Sequence, residues 1–153
     1  MFSYTMEHIF SYTAGLQPPQ IIGPVPEGIR ANWYITGGEV SGPKLRGCLR
    51  AEGADFFTLR PDGIGVVDVR TVIETHDGAL IYVFYEGIGD LGIDGYANLL
   101  RGELPPSLPL TTSPQMRCAH PDYQWVQRLH CVGVGAVDLR NFTVAYDVHA
   151  VRR

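Results

Sequence analysis

Turn-forming residues break this chain at short intervals along most of its length. Gly42-Pro43, Glu52-Gly53, Pro61-Asp62-Gly63 and His76-Asp77-Gly78 each end a run rich in β-branched or aromatic residues. Aspartate–glycine pairs suit hairpin turns, because glycine adopts positive φ freely and aspartate tolerates it. The 18 glycines and 11 prolines are dispersed rather than clustered. A chain punctuated in this way builds many short strands more readily than a few long helices.

The strands expected from these boundaries run over Ala31 to Val40, Leu45 to Ala51, Asp55 to Arg60, Ile64 to Thr75, Ala79 to Glu86, Tyr123 to Val134 and Phe142 to Val151. Gln17-Pro-Pro-Gln and Gly23-Pro-Val-Pro-Glu-Gly read as a crossing loop. Phe2-Ser-Tyr-Thr, repeated as Phe10-Ser-Tyr-Thr, reads as an extended start. Tyr96 to Arg101 suits a short helical turn, and Pro105 to Pro114 a proline-rich loop at a rim. Gly87-Ile-Gly89 and Gly133-Val-Gly135 read as turns or strand bends, since neither has the third glycine or the following helix of a dinucleotide-binding loop. Strands at this spacing make a sandwich or a barrel, and closure into a barrel removes exposed edges. The expectation is all-β: one domain over residues 1–153, a closed antiparallel β-barrel with at most one short helix. A small barrel is either packed solid or holds one small ligand.

Composition narrows the partners. A formal net charge of -4 does not favour nucleic-acid backbones, which attract basic patches. No apolar run reaches the length of a membrane span. The segment from Met1 to Leu16 contains Glu7 and His8 and lacks the basic-then-apolar order of a secretory signal. Three cysteines do not pair off into a disulfide framework, so the expected setting is reducing and cytoplasmic.

Side chains alternate faces along a strand, so parity sorts them. In the longest run Val67, Val69, Thr71 and Ile73 share one face, and Asp68, Arg70, Val72 and Glu74 the other. After Tyr123 one face carries Tyr123, Trp125, Gln127, Leu129 and Cys131, which sets Gln127 in an apolar, aromatic row. Ala79, Ile81, Val83 and Tyr85 share a face, opposite Leu80, Tyr82, Phe84 and Glu86. Parity alone leaves Asp68 and Arg70 either inside a cavity or on a solvated outer face. If Val67, Val69 and Ile73 lie outside, they form an apolar stripe that asks for a second copy of the chain.

An ordered series of motifs adds to this reading: Gly28-Ile-Arg30, Thr36-Gly-Gly38, Gly42-Pro43-Lys-Leu45-Arg-Gly47, Gly53-Ala-Asp55, Arg60-Pro-Asp62-Gly63, Asp68-Val-Arg70, Thr75-His-Asp77-Gly78 and Tyr123-Gln-Trp125. In this order they resemble the family called domain of unknown function 3237, from about Glu7 to Val151. The resemblance implies a lipocalin-like antiparallel barrel and no settled activity, and it tips Asp68 and Arg70 toward the interior. The chain departs from the family pattern at Phe56, usually Trp, and at Trp125-Val-Gln127, usually Trp-Leu-Asn. It departs again at Met116-Arg117-Cys118, usually Phe-Glu-Thr.

The chemistry suggested is that of a polar cluster in an aromatic-lined barrel. Cys118, His120, His130 and Cys131 lack the paired spacing of a zinc site, and neighbours on a strand point to opposite faces. Neither a metal nor a cofactor is expected, and no nucleophile elbow is present. The leading expectation is a cofactor-independent isomerase, cyclase or lyase acting on a small carbonyl or phenolic compound. Asp68, or alternatively Asp55, would be the general base, and Arg70 would stabilise a developing enolate. Tyr82 and Gln127 would hydrogen-bond the substrate and Trp125 would wall it, with Tyr123 and Arg30 completing the binding set. The alternative is a non-catalytic barrel that binds a small hydrophobic acid through Arg70. A third reading has the charges paired and the barrel filled. The expected partners are a small molecule and further copies of the chain, with no nucleic acid and no membrane.

Overall fold

The computed structural model describes residues Met1–Arg153, and β-strands account for most of them. In chain order they are β1 (Thr5–Leu16), β2 (Gln20–Val25), β3 (Gly28–Ser41), β4 (Gly47–Leu49), β5 (Ala54–Leu59), β6 (Ile64–Thr75) and β7 (Leu80–Asp90). A short helix α1 (Gly95–Leu100) follows, then β8 (Ser107–Thr112), β9 (Gln115–Arg117), a 3-10 helix (Pro121–Arg128), β10 (Cys131–Asp138) and β11 (Thr143–Arg152). Every pairing is antiparallel. The order β3-β1-β11-β10-β8-β7-β6-β5 returns to β3, which closes an eight-stranded barrel. β2 lies along β3, β4 bridges β3 and β6, and β9 pairs with β7. No helix is long and apolar enough to cross a membrane.

Alternation decides what fills the barrel. Phe10, Tyr12 and Ala14 of β1, Val67, Val69 and Ile73 of β6, and Ile81, Val83 and Tyr85 of β7 are all buried in one cluster. The Val67–Ile73 stripe is therefore the inner face of β6. It does not supply the outer apolar surface that would call for a second copy.

The two ends differ. At one end the 3-10 helix inserts Tyr123 and Val126 beside Phe10, Leu45, Ile73, Ile81, Met116, Cys131 and Val148, and this end is solid. The Tyr123 hydroxyl donates to Asp77 Oδ1 at 2.7 Å, in the β6–β7 turn, and Gln127 Oε1 accepts the Cys118 N–H at 3.1 Å. The other end carries the Arg60–Ile64 turn, α1 and the β10–β11 turn, and it stays open.

Three local expectations change. Tyr123 to Arg128 is helical rather than a strand, because Pro121 occupies the first turn and His120 Nδ1 accepts the Asp122 N–H. Ser107–Thr112, expected as a loop, is β8. Its alternating Leu108, Leu110 and Thr112 point into the barrel, and Pro109 faces outward. Gln20–Val25, within the expected crossing loop, is β2 and pairs with β3 through Pro24↔Ile29 and Val25↔Gly28, an outer-strand position that tolerates proline.

Candidate functional site

The open half of the barrel holds an apolar cavity that opens to solvent at its mouth. β1 supplies Tyr12, Ala14 and Leu16, β3 supplies Ala31, Trp33 and Ile35, and β5 supplies Asp55 and Phe57. Leu49 of β4, Val67 and Val69 of β6, Tyr85 of β7, Leu108 and Leu110 of β8, Val137 of β10, and Val144 and Tyr146 of β11 complete the wall. Ile21, Leu91, Leu99, Leu104 and Leu139 surround the mouth. Asp55 is the one non-hydrophobic residue among the 22 that line the cavity, and no Lys, Arg or His is among them.

Asp55 sits opposite Trp33 on β3 and Val69 on β6, so its side chain projects inward with theirs. Its Oδ1 accepts the Asp68 backbone N–H at 2.9 Å. That bond fixes the carboxyl plane and leaves Oδ2 for the cavity. Burial raises its pKa to about 7, opposed by the Asp68 N–H and aided by the Asp68 charge. Near neutrality Asp55 therefore exists as both acid and base, the condition under which one carboxyl can accept and return a proton.

Three tyrosines face it. The hydroxyls of Tyr12 and Tyr85 are 2.6 Å apart, and the Tyr146 ring lies 5.3 Å from Tyr12 and 5.9 Å from Tyr85 between centroids. Burial drives all three hydroxyls to higher pKa, so they remain protonated donors at neutral pH. The Tyr12–Tyr85 bond uses one of that pair's two protons and leaves the other for a ligand. Glycine makes room for this arrangement, because a Cβ on Gly135 would stand 2.6 Å from Tyr146 Cδ1 and 2.0 Å from the Ala145 carbonyl oxygen.

Of the residues expected to form the site, Asp55 alone lines this cavity. Asp68 and Arg70 face outward, correcting their inward placement. They pair with each other at 2.6 Å, with 36% and 53% of their side chains exposed. The reason is register: Val69 lies opposite Asp55 and points in, so its neighbours point out. Tyr82 is on the outer surface stacked on Phe84 at 5.3 Å, and Arg30 is on the outside of β3 beside Arg60 and Asp62. Tyr123 and Gln127 brace the solid end. Trp125 lines a surface cleft with Lys44, Arg128, Leu129 and Arg152. The sequence reading missed Tyr12 and Tyr146 as site residues and gave Tyr85 a face without a role. The available signal was parity, since Tyr85 continues the apolar row of Ile81 and Val83.

The cysteines weighed above against a zinc site lie in other surroundings. Cys118 Sγ donates to the Leu80 carbonyl oxygen, and burial pushes the Cys131 thiol up to about 11. All three cysteines are free.

The profile of a family described as protein of unknown function (DUF3237) matches residues 4–151. The chain belongs to that family. The UPF0311 protein RPA1785 of Rhodopseudomonas palustris is 33% identical over 147 residues, covering 95% of each chain. Its crystal structure superposes with a TM-score of 0.86, covering 99% of both chains at 31% identity. A β-barrel-like protein of Acinetobacter baumannii gives 0.81 at 26% identity, covering 99% of this chain and 98% of that one. An enzyme of Penicillium herquei gives 0.68 at 20% identity, covering 97% and 96%, a likeness of fold alone. The DUF3237 barrel is thus shared with these proteins over nearly its full length.

Proposed function

We propose that this DUF3237 protein is a cofactor-independent enzyme that moves a proton on a small carbonyl or phenolic compound, with Asp55 as the acid–base group. The observation that carries the reading is a single carboxyl in an apolar cavity, beside a hydrogen-bonded tyrosine pair. Asp55 Oδ2 would remove a proton from carbon next to a carbonyl, and the electron pair would pass to the carbonyl oxygen. A hydroxyl of the Tyr12–Tyr85 pair, or that of Tyr146, would donate to the resulting enolate oxygen. Return of the same proton from Asp55 to a different carbon completes an isomerisation with no net change in atoms. The same base would take the O–H proton of a phenol whose oxygen adds to a C=C conjugated with the carbonyl, the π pair passing to the carbonyl oxygen, and Asp55 would return the proton to the α-carbon. That a barrel of related shape belongs to an enzyme is in keeping with this reading.

The hydrophobic-acid binder has less support. Its anchor, Arg70, is on the outer surface, and the cavity wall contains no cation. The test is deuterium uptake into a panel of small neutral ketones in heavy water. Uptake catalysed by the protein and lost in Asp55→Asn supports the reading. Uptake unchanged in Asp55→Asn refutes it.

A further inference from the structure

The cavity's charge and the composition of its rim together restrict what can enter. The inner polar groups are one carboxyl and three hydroxyls, and every other lining side chain is hydrocarbon, aromatic or indole. An anion bound there would lose its hydration, meet no cation, and face ionised Asp55 across a medium of low dielectric. A sugar or a nucleotide would bury more polar atoms than these four groups can satisfy.

The rim is the second observation. Ile21 is 55% exposed and Leu104 43%. Large aliphatic side chains left in water are ordinarily scattered singly. These two lie on β2 and on the segment after α1, and both line the cavity. The apolar surface thus runs from the Asp55 end to exposed side chains outside. We propose that the substrate is an uncharged, lipophilic compound, oxygen-bearing at the end that reaches Asp55, whose hydrocarbon body extends to the Ile21–Leu104 rim. This rests on the cavity being the reaction site described above.

The titratable groups facing Asp55 are Tyr12 of β1, Tyr85 of β7 and Tyr146 of β11 inside, and Asp68 of β6 through the wall. No cation on these or on the β3 lining answers the Asp55 charge. Discrimination against anions is therefore greatest where Asp55 is ionised and fades as it takes up a proton.

The test uses naphthol and naphthoate, two probes of similar shape and different charge, with binding followed by calorimetry. At about pH 8, naphthoate is expected to bind at least roughly tenfold more weakly than naphthol, and Asp55→Asn to narrow that gap without abolishing it, since the cost of desolvating the anion remains. Hexylphenol should bind more tightly than cresol, and the advantage should shrink in Ile21→Ser/Leu104→Ser. Equal binding of naphthoate and naphthol overturns the proposal. So does a gap that Asp55→Asn leaves unchanged, or failure of both probes to bind. The catalytic reading fails separately. If the selectivity appears but Asp55→Asn still exchanges ketone protons, the substrate preference stands and the acid–base role falls.

Discussion

The Asp68 backbone N–H donates to Asp55 Oδ1 at 2.9 Å, while the Asp68 side chain turns outward to Arg70 at 2.6 Å. One residue thus fixes the inner carboxyl with its main chain and makes a surface ion pair with its side chain. The two carboxylates lie on opposite sides of one wall, and their chemistry differs accordingly.

Neutralising Asp55 should stabilise the protein at high pH. Its pKa is about 7 in the fold and about 3.9 in an unfolded chain. A carboxyl raised on folding contributes its stability fully below the unfolded value and loses it as pH rises through the folded one. The native protein should therefore weaken between about pH 4 and pH 7, by as much as roughly 4 kcal/mol. Asp55→Asn should flatten that decline. Urea midpoints at about pH 5 and pH 8 measure it. Equal pH dependence in the two proteins contradicts the raised pKa.

The tyrosine pair should matter to rate more than to binding. Tyr85→Phe or Tyr12→Phe removes a donor and disrupts the bonded pair, which should slow turnover about 100- to 1,000-fold if that proton serves the enolate. The same change strands a buried hydroxyl and should cost about 1–3 kcal/mol of stability. Double substitution should recover part of the stability and none of the rate. A double variant with native turnover removes the pair from the mechanism.

Changes to the outer ion pair should do little. An exposed pair is worth about 0–1 kcal/mol, so Asp68→Asn and Arg70→Ala should unfold near the native midpoint and keep native turnover. Neither touches the backbone N–H that holds Asp55. A large loss of activity in either would return the site to the outer face.

Gly135→Ala tests the space beneath Tyr146. The new methyl would meet the Tyr146 ring and the Ala145 carbonyl oxygen. It should destabilise by about 1–3 kcal/mol, as overpacking does, and should reduce naphthol affinity by displacing the ring. Native stability and affinity would show that β10 and Tyr146 yield freely.

How much of this was legible in the sequence follows from what parity can and cannot decide. The Asp-Gly turns and the alternation of β6 give that strand's limits, Ile64 to Thr75, and the sorting of its faces. Parity says that Asp68 and Val69 point oppositely. It does not say which is inside, and the opposing register of Asp55 settles that only once β5 pairs with β6. Proline misled three times, first at Pro24, which lies within β2. Pro109 tolerates an outward strand position, so β8 hid in a proline-rich stretch. Pro121 begins a 3-10 turn, so the aromatic row of Tyr123, Trp125 and Gln127 is a helical plug rather than a strand face. Tyr12 and Tyr146 belong to terminal strands whose pairing joins residues far apart in sequence, and no local pattern announces that they meet Tyr85.

The most direct measurement of the central claim is the titration of the Asp55 carboxyl carbon by NMR, assigned by its absence in Asp55→Asn. The midpoint should lie near 7 and shift upward when naphthol fills the cavity and excludes water. A midpoint at or below about 4, the value of an exposed aspartate, would contradict it and leave the cavity without its acid–base group.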